Sequence, residues 1–381
     1  MEEVAARPEV IVVGAGVTGL AIAWHLLRRD ATVTVVERTG VAAGASGIQP
    51  GGVRQQWSTR VNIELARESA AFYRELSTHL TPAVPAVLEP CGYLFVADSE
   101  AALRSFEANV ALQNELGVPS RILSASEAGE VVPGLRSDGI VGASFCAEDG
   151  YFDKPQAVVE AFASGVTRLG GTILIGTVDR LTPVPGGWQA RLADGRTIEG
   201  AQVVVAAGVD TRPLLAPLGV DLPIEPESRF LFLSDPIRER LVEPLVIASE
   251  RRFAAKQLAS GRVLTSDLGA VGDPESGRAA WLETIRAGIR SLLPILEYVT
   301  FPVLAEGVYD VTPDHQPILD EIASRAGLWV AAGLSGHGFM IAPAVGRLVA
   351  DSVAGERSPT LEHFSRARFE RLELAAETQV V

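Results

Sequence analysis

The feature that most restricts this chain is a glycine cluster, Gly14-Ala15-Gly16-Val17-Thr18-Gly19, lodged between two kinds of element. Before it, Glu9–Val13 (EVIVV) reads as a parallel strand buried on both faces, from its unbroken Val/Ile run. After it, Val17–Arg29 reads as a helix and Thr32–Val36 (TVTVV) as a second strand that ends at Glu37. G-x-G-x-x-G alone is a weak signal. Here the strand, the helix and an acid 23 positions beyond Gly14 all accompany it. The first glycine permits a tight turn, the second lets backbone approach a pyrophosphate, and the third allows close helix–strand packing. The helix start offers N–H groups and the positive end of its dipole to phosphates. Glu37 is placed to accept both ribose hydroxyls of an adenosine, and its charge would repel a 2′-phosphate, which disfavours NADP. The unit by itself leaves NAD and FAD both open.

The same kind of layer returns later in the chain. Thr172–Val178 reads as a strand, Trp188–Ala193 and Arg196–Glu199 as a hairpin turning at Asp194-Gly195, and Ala201–Ala207 as a buried strand ending at Gly208. Gly327–Ala332 is a further strand, followed by Gly333-Leu334-Ser335-Gly336-His337-Gly338 and a helix from about Ile341 to Val353. The stretches between differ. Ser99–Leu116 is an amphipathic helix with Leu103, Phe106 and Val110 on one face. Ser124 and Glu127 form a capping box, and Pro274–Leu293 is helical. Short β-like runs stand at Tyr93–Ala97, Arg229–Leu233 and Arg262–Thr265. This alternation predicts a second domain threaded twice out of the first.

Composition narrows the function. At 381 residues, 47% hydrophobic and 21% charged, the chain is globular and long enough for two or three domains. A formal net charge of −14 opposes a nucleic-acid partner, though one buried arginine can reverse the sign locally for a small anion. Cys91 and Cys146 show no metal-ligand spacing and read as small buried thiols in a reducing compartment, so no metal is expected. Only two lysines occur, Lys154 and Lys256. Val10–Leu27 and Ala326–Gly346 are long and free of formal charge, but glycines interrupt both, and Glu2, Glu3 and Glu9 precede the first. A cytoplasmic protein without a membrane partner is expected.

Three further motifs carry a resemblance. Gly44-Ala-Ser-Gly47 through Gly51-Gly52-Val53-Arg54-Gln55-Gln56, then Tyr309-Asp-Val-Thr312-Pro313-Asp314, then Gly333-Leu-Ser335-Gly336-His337-Gly338-Phe339 follow one another in the chain. Together they resemble the flavin-dependent amino-acid oxidases of the D-amino acid oxidase superfamily, in particular its sarcosine oxidase-like branch (monomeric enzymes and beta subunits). The resemblance implies an α/β plus α+β fold. A Rossmann-like FAD-binding domain would take residues 1–80, 145–225 and 320–381. A discontinuous second domain on a mostly antiparallel sheet, 81–144 and 226–319, would bind substrate. It also implies FAD contacts from Gly14, Gly16, Val17, Thr18, Gly19, Glu37, Arg38, Ala45, Ser46, Val178, Ala207, Gly208, Gly333, Gly336, His337, Gly338, Phe339 and Met340.

Arg54 matches the family arginine that grips the substrate carboxylate, a task that suits a guanidinium fork. Tyr309 matches a tyrosine of the substrate pocket. Lys256 falls where monomeric sarcosine oxidases carry an oxygen-activating lysine. The departures are as informative. Gly307 replaces the cysteine that holds flavin covalently in those enzymes, and no histidine matches the one that carries flavin mononucleotide in the heterotetrameric relatives, so FAD is expected to be non-covalent. Met340 replaces a second carboxylate-binding lysine, which should favour bulkier or cyclic N-alkyl amino acids. His337 reads as a flavin-loop residue. His25, His79, His315 and His363 read as packing residues, and Asp314 as a turn residue. The expected activity is oxidation of a secondary or N-methyl amino acid to an imine that hydrolyses, with O2 reduced to hydrogen peroxide. Alternatives are a D-amino acid or proline dehydrogenase, or a glycine oxidase-type enzyme, passing electrons to another acceptor as a monomer or within a flavoprotein complex. An NAD-dependent dehydrogenase and a non-catalytic flavoprotein complete the field.

Overall fold

The computed structural model describes residues 7–356 and 358–379; the acidic pair Glu2 and Glu3 lies outside them. Six strands form the first sheet, in the spatial order Ile318–Glu321, Leu328–Ala332, Gln202–Val205, Val10–Val13, Val33–Glu37 and Thr172–Ile175. Every pairing is parallel except that of the Ile318–Glu321 edge strand. Alternate residues of one strand face different cores. Val10 and Val12 pack under the helices Val17–Leu27 and Gly338–Val353, while Ile11 and Val13 pack against a three-stranded antiparallel sheet carrying Leu181, Trp188 and Leu192. Burial on both faces is what the unbroken Val/Ile run required.

The second large sheet has eight strands, in the order Val303–Val311, Glu225–Leu233, Val263–Asp267, Phe253–Gln257, Leu245–Ala248, Tyr93–Ala97, Gly142–Cys146 and Arg121–Leu123. It is antiparallel apart from the pairing of Leu245–Ala248 with Tyr93–Ala97. One face packs on the helix Pro274–Leu292, where Phe230 and Trp281 stack with ring centroids 4.2 Å apart. The opposite face looks into a cavity. Two of its strands, Gly142–Cys146 and Glu225–Leu233, run across the expected domain boundaries at 144/145 and 225/226.

Several expected elements end elsewhere, for local reasons. The strand expected at Thr172–Val178 splits into Thr172–Ile175 and Val178–Val184, which belong to different sheets. At Gly176 the backbone completes its pairing by donating to the Glu37 carbonyl at 2.8 Å, and a Cβ there would lie 2.5 Å from Leu192. The last long helix starts at Gly338 rather than Ile341, although Pro343 stands inside it. Proline deletes the N–H that would serve the Phe339 carbonyl. Instead the Tyr73 hydroxyl donates to that carbonyl at 2.6 Å, and the Ala344 N–H donates to Ser69 Oγ at 3.2 Å. Both partners come from the helix Arg60–Arg74, which sequence reading passed over. The two long uncharged stretches resolve into strand, turn and helix, and among the described residues no helix is long and apolar enough to cross a membrane.

Asp314 stands in the expected turn and does more there. It is 1% exposed and takes the Arg368 guanidinium through Nε at 2.8 Å and Nη2 at 3.1 Å. Arg368 also donates to the carbonyls of Phe364 and Gln316. Breaking one side of such a pair strands a buried charge, so Arg368→Met should destabilise the fold by about 3–5 kcal/mol in urea unfolding. Adding Asp314→Leu should recover part of that loss. Equal stability of the single variant and the parent would refute this account.

Candidate functional site

The expected cofactor residues converge on two glycine turns and the short helix between them. At the first, Gly14 has φ +107°, and a Cβ there would lie 2.4 Å from the Ala206 carbonyl oxygen. Only glycine permits that approach of the 10–13 strand to Ala206, Ala207 and Gly208. Gly19 packs on the Gly14 carbonyl, where a Cβ would come within 2.1 Å. The helix beginning at Val17 has no side-chain cap and no acid in its first turn. Across from it stands Ser46, whose Oγ accepts the Val17 N–H at 3.1 Å. Glu37 Oε2 accepts the Ala15 N–H at 2.8 Å and Oε1 the Thr39 N–H at 3.0 Å, so this carboxylate braces the turn itself. Arg38 reaches Asp210 at 3.0 Å across the rim, both side chains being exposed. Val178 is half-buried two residues beyond Gly176, which closes onto Glu37.

The second turn, Gly333–His337, leads into the Gly338–Val353 helix, which also lacks a side-chain cap. It is held by the 309–316 motif from the other sheet. Asp310 accepts the Gly333 N–H at 2.7 Å, and its burial pushes the carboxyl pKa up. Ser335 accepts the Thr312 N–H at 3.2 Å. Gly336, at φ +82°, lies flat against the Tyr309 ring, where a Cβ would come within 2.2 Å of a ring carbon. His337 is buried with its ring centroid 4.4 Å from that of Trp57, and burial drives its pKa well below the usual histidine range. A neutral, aromatically packed imidazole agrees with a loop role rather than that of a standing cation.

Between the eight-stranded sheet and this second turn lies a cavity of about 130 Å³. The sheet contributes Tyr93, Arg229, Ile247, Lys256 and Tyr309; the other wall contains Ala45, Ile48, His337 and Met340. Arg54, Lys256 and Tyr309, far apart in sequence, therefore meet at one place, and Gly307 lines it as well. Arg54 is 1% exposed. Its guanidinium lies 3.7 Å from the Trp57 ring centroid and donates to the backbone carbonyls of Gln56 and Gln379. Nε is buried without a partner. Among the described residues no carboxylate pairs with Arg54 directly, and burial lowers its pKa. A buried guanidinium with an unmet donor beside a cavity is a site for an anion.

Two further buried charges shape the cavity. Asp149 accepts the Gln55 N–H at 2.7 Å and Gln56 Nε2 at 3.0 Å, yet burial still raises its pKa to about 6. Lys256 donates to the Pro50 carbonyl and lies 4.3 Å from the Tyr151 ring centroid; burial lowers its pKa to about 7. The cysteines are free; burial raises Cys91 to about 11 and Cys146 to about 12, so both stay as thiols. Sequence reading missed Tyr93, Arg229 and Trp57 in this site. Trp57 had a signal in retrospect, since its spacing from Arg54 places an aromatic ring under the guanidinium.

FAD fits these residues on structural grounds. Two helix starts without an N-cap side chain, at Val17 and Gly338, turn the positive ends of their dipoles to the two glycine turns, and Gly14 and Gly16 let the first turn pack close against Ala206 and Ser46. The flanking cavity lies between the second turn and the eight-stranded sheet, with Arg54 in its lining. Comparison with known proteins agrees. Residues 9–352 match the model of the family described as FAD dependent oxidoreductase. The chain is 26% identical to FAD-dependent oxidoreductase domain-containing protein 1 of Xenopus laevis, over 98% of this chain and 85% of that protein. It is 27% identical to sarcosine oxidase subunit beta of Rhodobacter capsulatus, over 95% of this chain and 89% of that one. Among solved structures, L-proline dehydrogenase from P. horikoshii superposes with a TM-score of 0.89 at 27% identity, covering 97% of this chain and 99% of that chain.

The depressed Lys256 pKa has a sign that can be tested. From about 7 up to the ordinary lysine value of 10.5, the unfolded chain binds a proton that the folded protein lacks, so this residue makes stability rise with pH. Relative to the parent, Lys256→Met should lose about 1–2 kcal/mol of pH-dependent gain in urea unfolding between pH 7 and 8.5. Parallel stability–pH curves for the two proteins would show that Lys256 titrates normally.

Proposed function

The chain belongs to the FAD dependent oxidoreductase family, and we propose from that premise that it oxidises a secondary or N-methyl amino acid at its CH–NH bond. The observation that carries this reading is Arg54, a guanidinium buried beside the cavity with no carboxylate partner among the described residues. A substrate carboxylate would supply the missing anion, and the fork would fix the amine end in one orientation. Immobilising the reacting C–H in this way contributes several kcal/mol through lost translational and rotational freedom already met on binding. Tyr309 and Tyr93 wall the cavity on the sheet side, and Met340 with Ile48 gives it an apolar end suited to an N-alkyl or cyclic substituent. The amine must shed its proton before oxidation, and the cationic Arg54 beside the cavity favours the neutral amine over the ammonium.

Bound FAD would supply the two-electron acceptor for the C–N bond. The residues of 14–19, Glu37, Ser46 and 333–340 would hold it, and the absence of a nucleophile at Gly307 supports non-covalent attachment. The overall reaction balances as CH–NH plus O2 giving C=N plus H2O2, followed by addition of water to release an amine and a carbonyl compound. The Gly338–Val353 helix start favours negative charge next to it. Lys256 would favour electron transfer to oxygen in its protonated form, which its lowered pKa of about 7 confines to neutral pH and below. On this reading segments 1–80, 145–225 and 320–381 would hold FAD and lend Arg54, Ile48 and Met340 to the substrate cavity, and segments 81–144 and 226–319 would complete it with Tyr93, Arg229, Lys256 and Tyr309. The likeness to L-proline dehydrogenase favours a second reading, in which a cyclic amino acid is oxidised and another acceptor replaces O2.

The test is an anaerobic visible spectrum of purified holoenzyme before and after adding sarcosine or L-proline, followed by air. Bleaching of the flavin band, with peroxide formed once air is admitted, is the expected result; bleaching without peroxide favours the dehydrogenase. A yellow protein that no secondary amino acid bleaches would overturn both. Arg54→Ala should raise KM by at least about 100-fold while FAD content stays unchanged, from loss of a charge-assisted pair of a few kcal/mol. Lys256→Met should slow reoxidation by air and leave anaerobic bleaching intact.

A further inference from the structure

The segment after the last short helix, residues 373–379, has neither helix nor strand, yet it plunges two polar side chains inward. Glu377 is 1% exposed and Gln379 6%, with exposed Thr378 between them, as in an extended strap. Polar anchors hold it. The Glu377 carboxylate accepts the Ser58 N–H at 2.9 Å, the Thr59 N–H at 3.3 Å and Asn62 Nδ2 at 3.0 Å. Its own N–H donates to the Asp314 carbonyl at 3.0 Å, and the Ala375 carbonyl accepts Gln316 Nε2 at 3.0 Å. Glu377 thereby stands at the start of the Arg60–Arg74 helix, which has no acid in its own first turn and no side-chain cap.

The strap ends on Arg54. Gln379 gives its backbone carbonyl to Arg54 Nη2, and its side-chain oxygen accepts Asn109 Nδ2 at 3.2 Å. The opposite nitrogen, Nη1, is held by the Gln56 carbonyl. The guanidinium is thus clamped on both sides by neutral acceptors and from below by Trp57, which fixes its direction and leaves its charge unspent. A carboxylate in place of the Gln379 carbonyl would have neutralised it. Glu377 holds that acceptor in position while spending its own charge on uncharged donors.

We propose that this strap is a working part of the anion site, with Glu377 a positioning residue that aims Arg54 through the Gln379 carbonyl. The inference rests on the reading that Arg54 binds the substrate carboxylate. It is tested in holoenzyme with pyrrole-2-carboxylate, a planar anion without an oxidisable C–H beside its nitrogen, titrated by the change in flavin absorbance. Glu377→Ala and a truncation after Leu374 should weaken binding at least tenfold. They should also raise KM for an oxidised substrate more than they lower kcat, with FAD content retained. Glu377→Gln keeps an acceptor oxygen and should restore most of the affinity. Gln379→Gly leaves the Glu377 anchor in place and should weaken binding at least threefold, which keeps the proposal exposed even if Glu377→Ala fails to fold. Binding within twofold of the parent by Glu377→Ala, the truncation and Gln379→Gly would overturn the strap's role alone. A parent enzyme that binds neither this anion nor any amino acid would instead overturn the reading of Arg54.

Discussion

Arg54 buries a positive charge with no carboxylate paired to it among the described residues, and the architecture around the cavity is organised to tolerate it. Transferring a guanidinium out of water is unfavourable unless its N–H groups find acceptors. Arg54 finds carbonyls from its own segment, at Gln56, and from Gln379, 325 residues further along the chain, and an indole face beneath it. The neighbouring carboxylates are diverted: Asp149 to Gln55 and Gln56, Glu377 to Ser58, Thr59 and Asn62. Those hydrogen bonds keep negative charge near enough to moderate the field and too occupied to quench it. The charge therefore survives inside a protein whose net charge is −14.

That contrast between exterior and interior has a kinetic side. Many of the chain's acids are paired with arginines at the rim, such as Asp210 with Arg38 and Glu68 with Arg347. The cavity wall, by comparison, contributes Arg54 and Lys256, with a half-buried Arg229 that is paired to Glu227. A small anion near this surface meets a repelling exterior and an attracting interior, and low-dielectric walls focus the latter. Bulky polyanions gain nothing from the buried cations, which is consistent with selectivity for small carboxylates.

What could be read in advance divides along a physical line. The strand–turn–helix around Gly14 was legible because its constraints are local: the close approach of Gly19 to the Gly14 carbonyl, where a Cβ would come within 2.1 Å, a positive φ and a helix start without an N-cap side chain all fall within a few residues. The 309–314 and 333–339 segments were legible through resemblance, and the structure shows why they travel together, since Asp310, Thr312 and Tyr309 build the turn that Gly333 and Gly336 complete. The Thr172–Val178 run misled because β-propensity does not say which sheet a strand joins, and Gly176 sends its two halves apart. Glu377 and Gln379 left no local trace. Their burial is polar, set by partners more than 200 residues away in the case of Ser58 and Arg54, and no periodicity encodes such a contact.

The proline inside the Gly338–Val353 helix has a mechanical consequence. With the N–H of Pro343 missing, the rung that would tie the Phe339 carbonyl into the helix is absent, and Tyr73 holds that carbonyl from the side. The opening turn, which carries Phe339 and Met340, is therefore tethered laterally to the Arg60–Arg74 helix as well as lengthwise to its own. Glu377 seats at the head of that same Arg60–Arg74 helix. This one rod thus bears on both ends of the cavity, through Tyr73 and Ser69 on the wall near Met340 and through Glu377 on the anchor near Arg54.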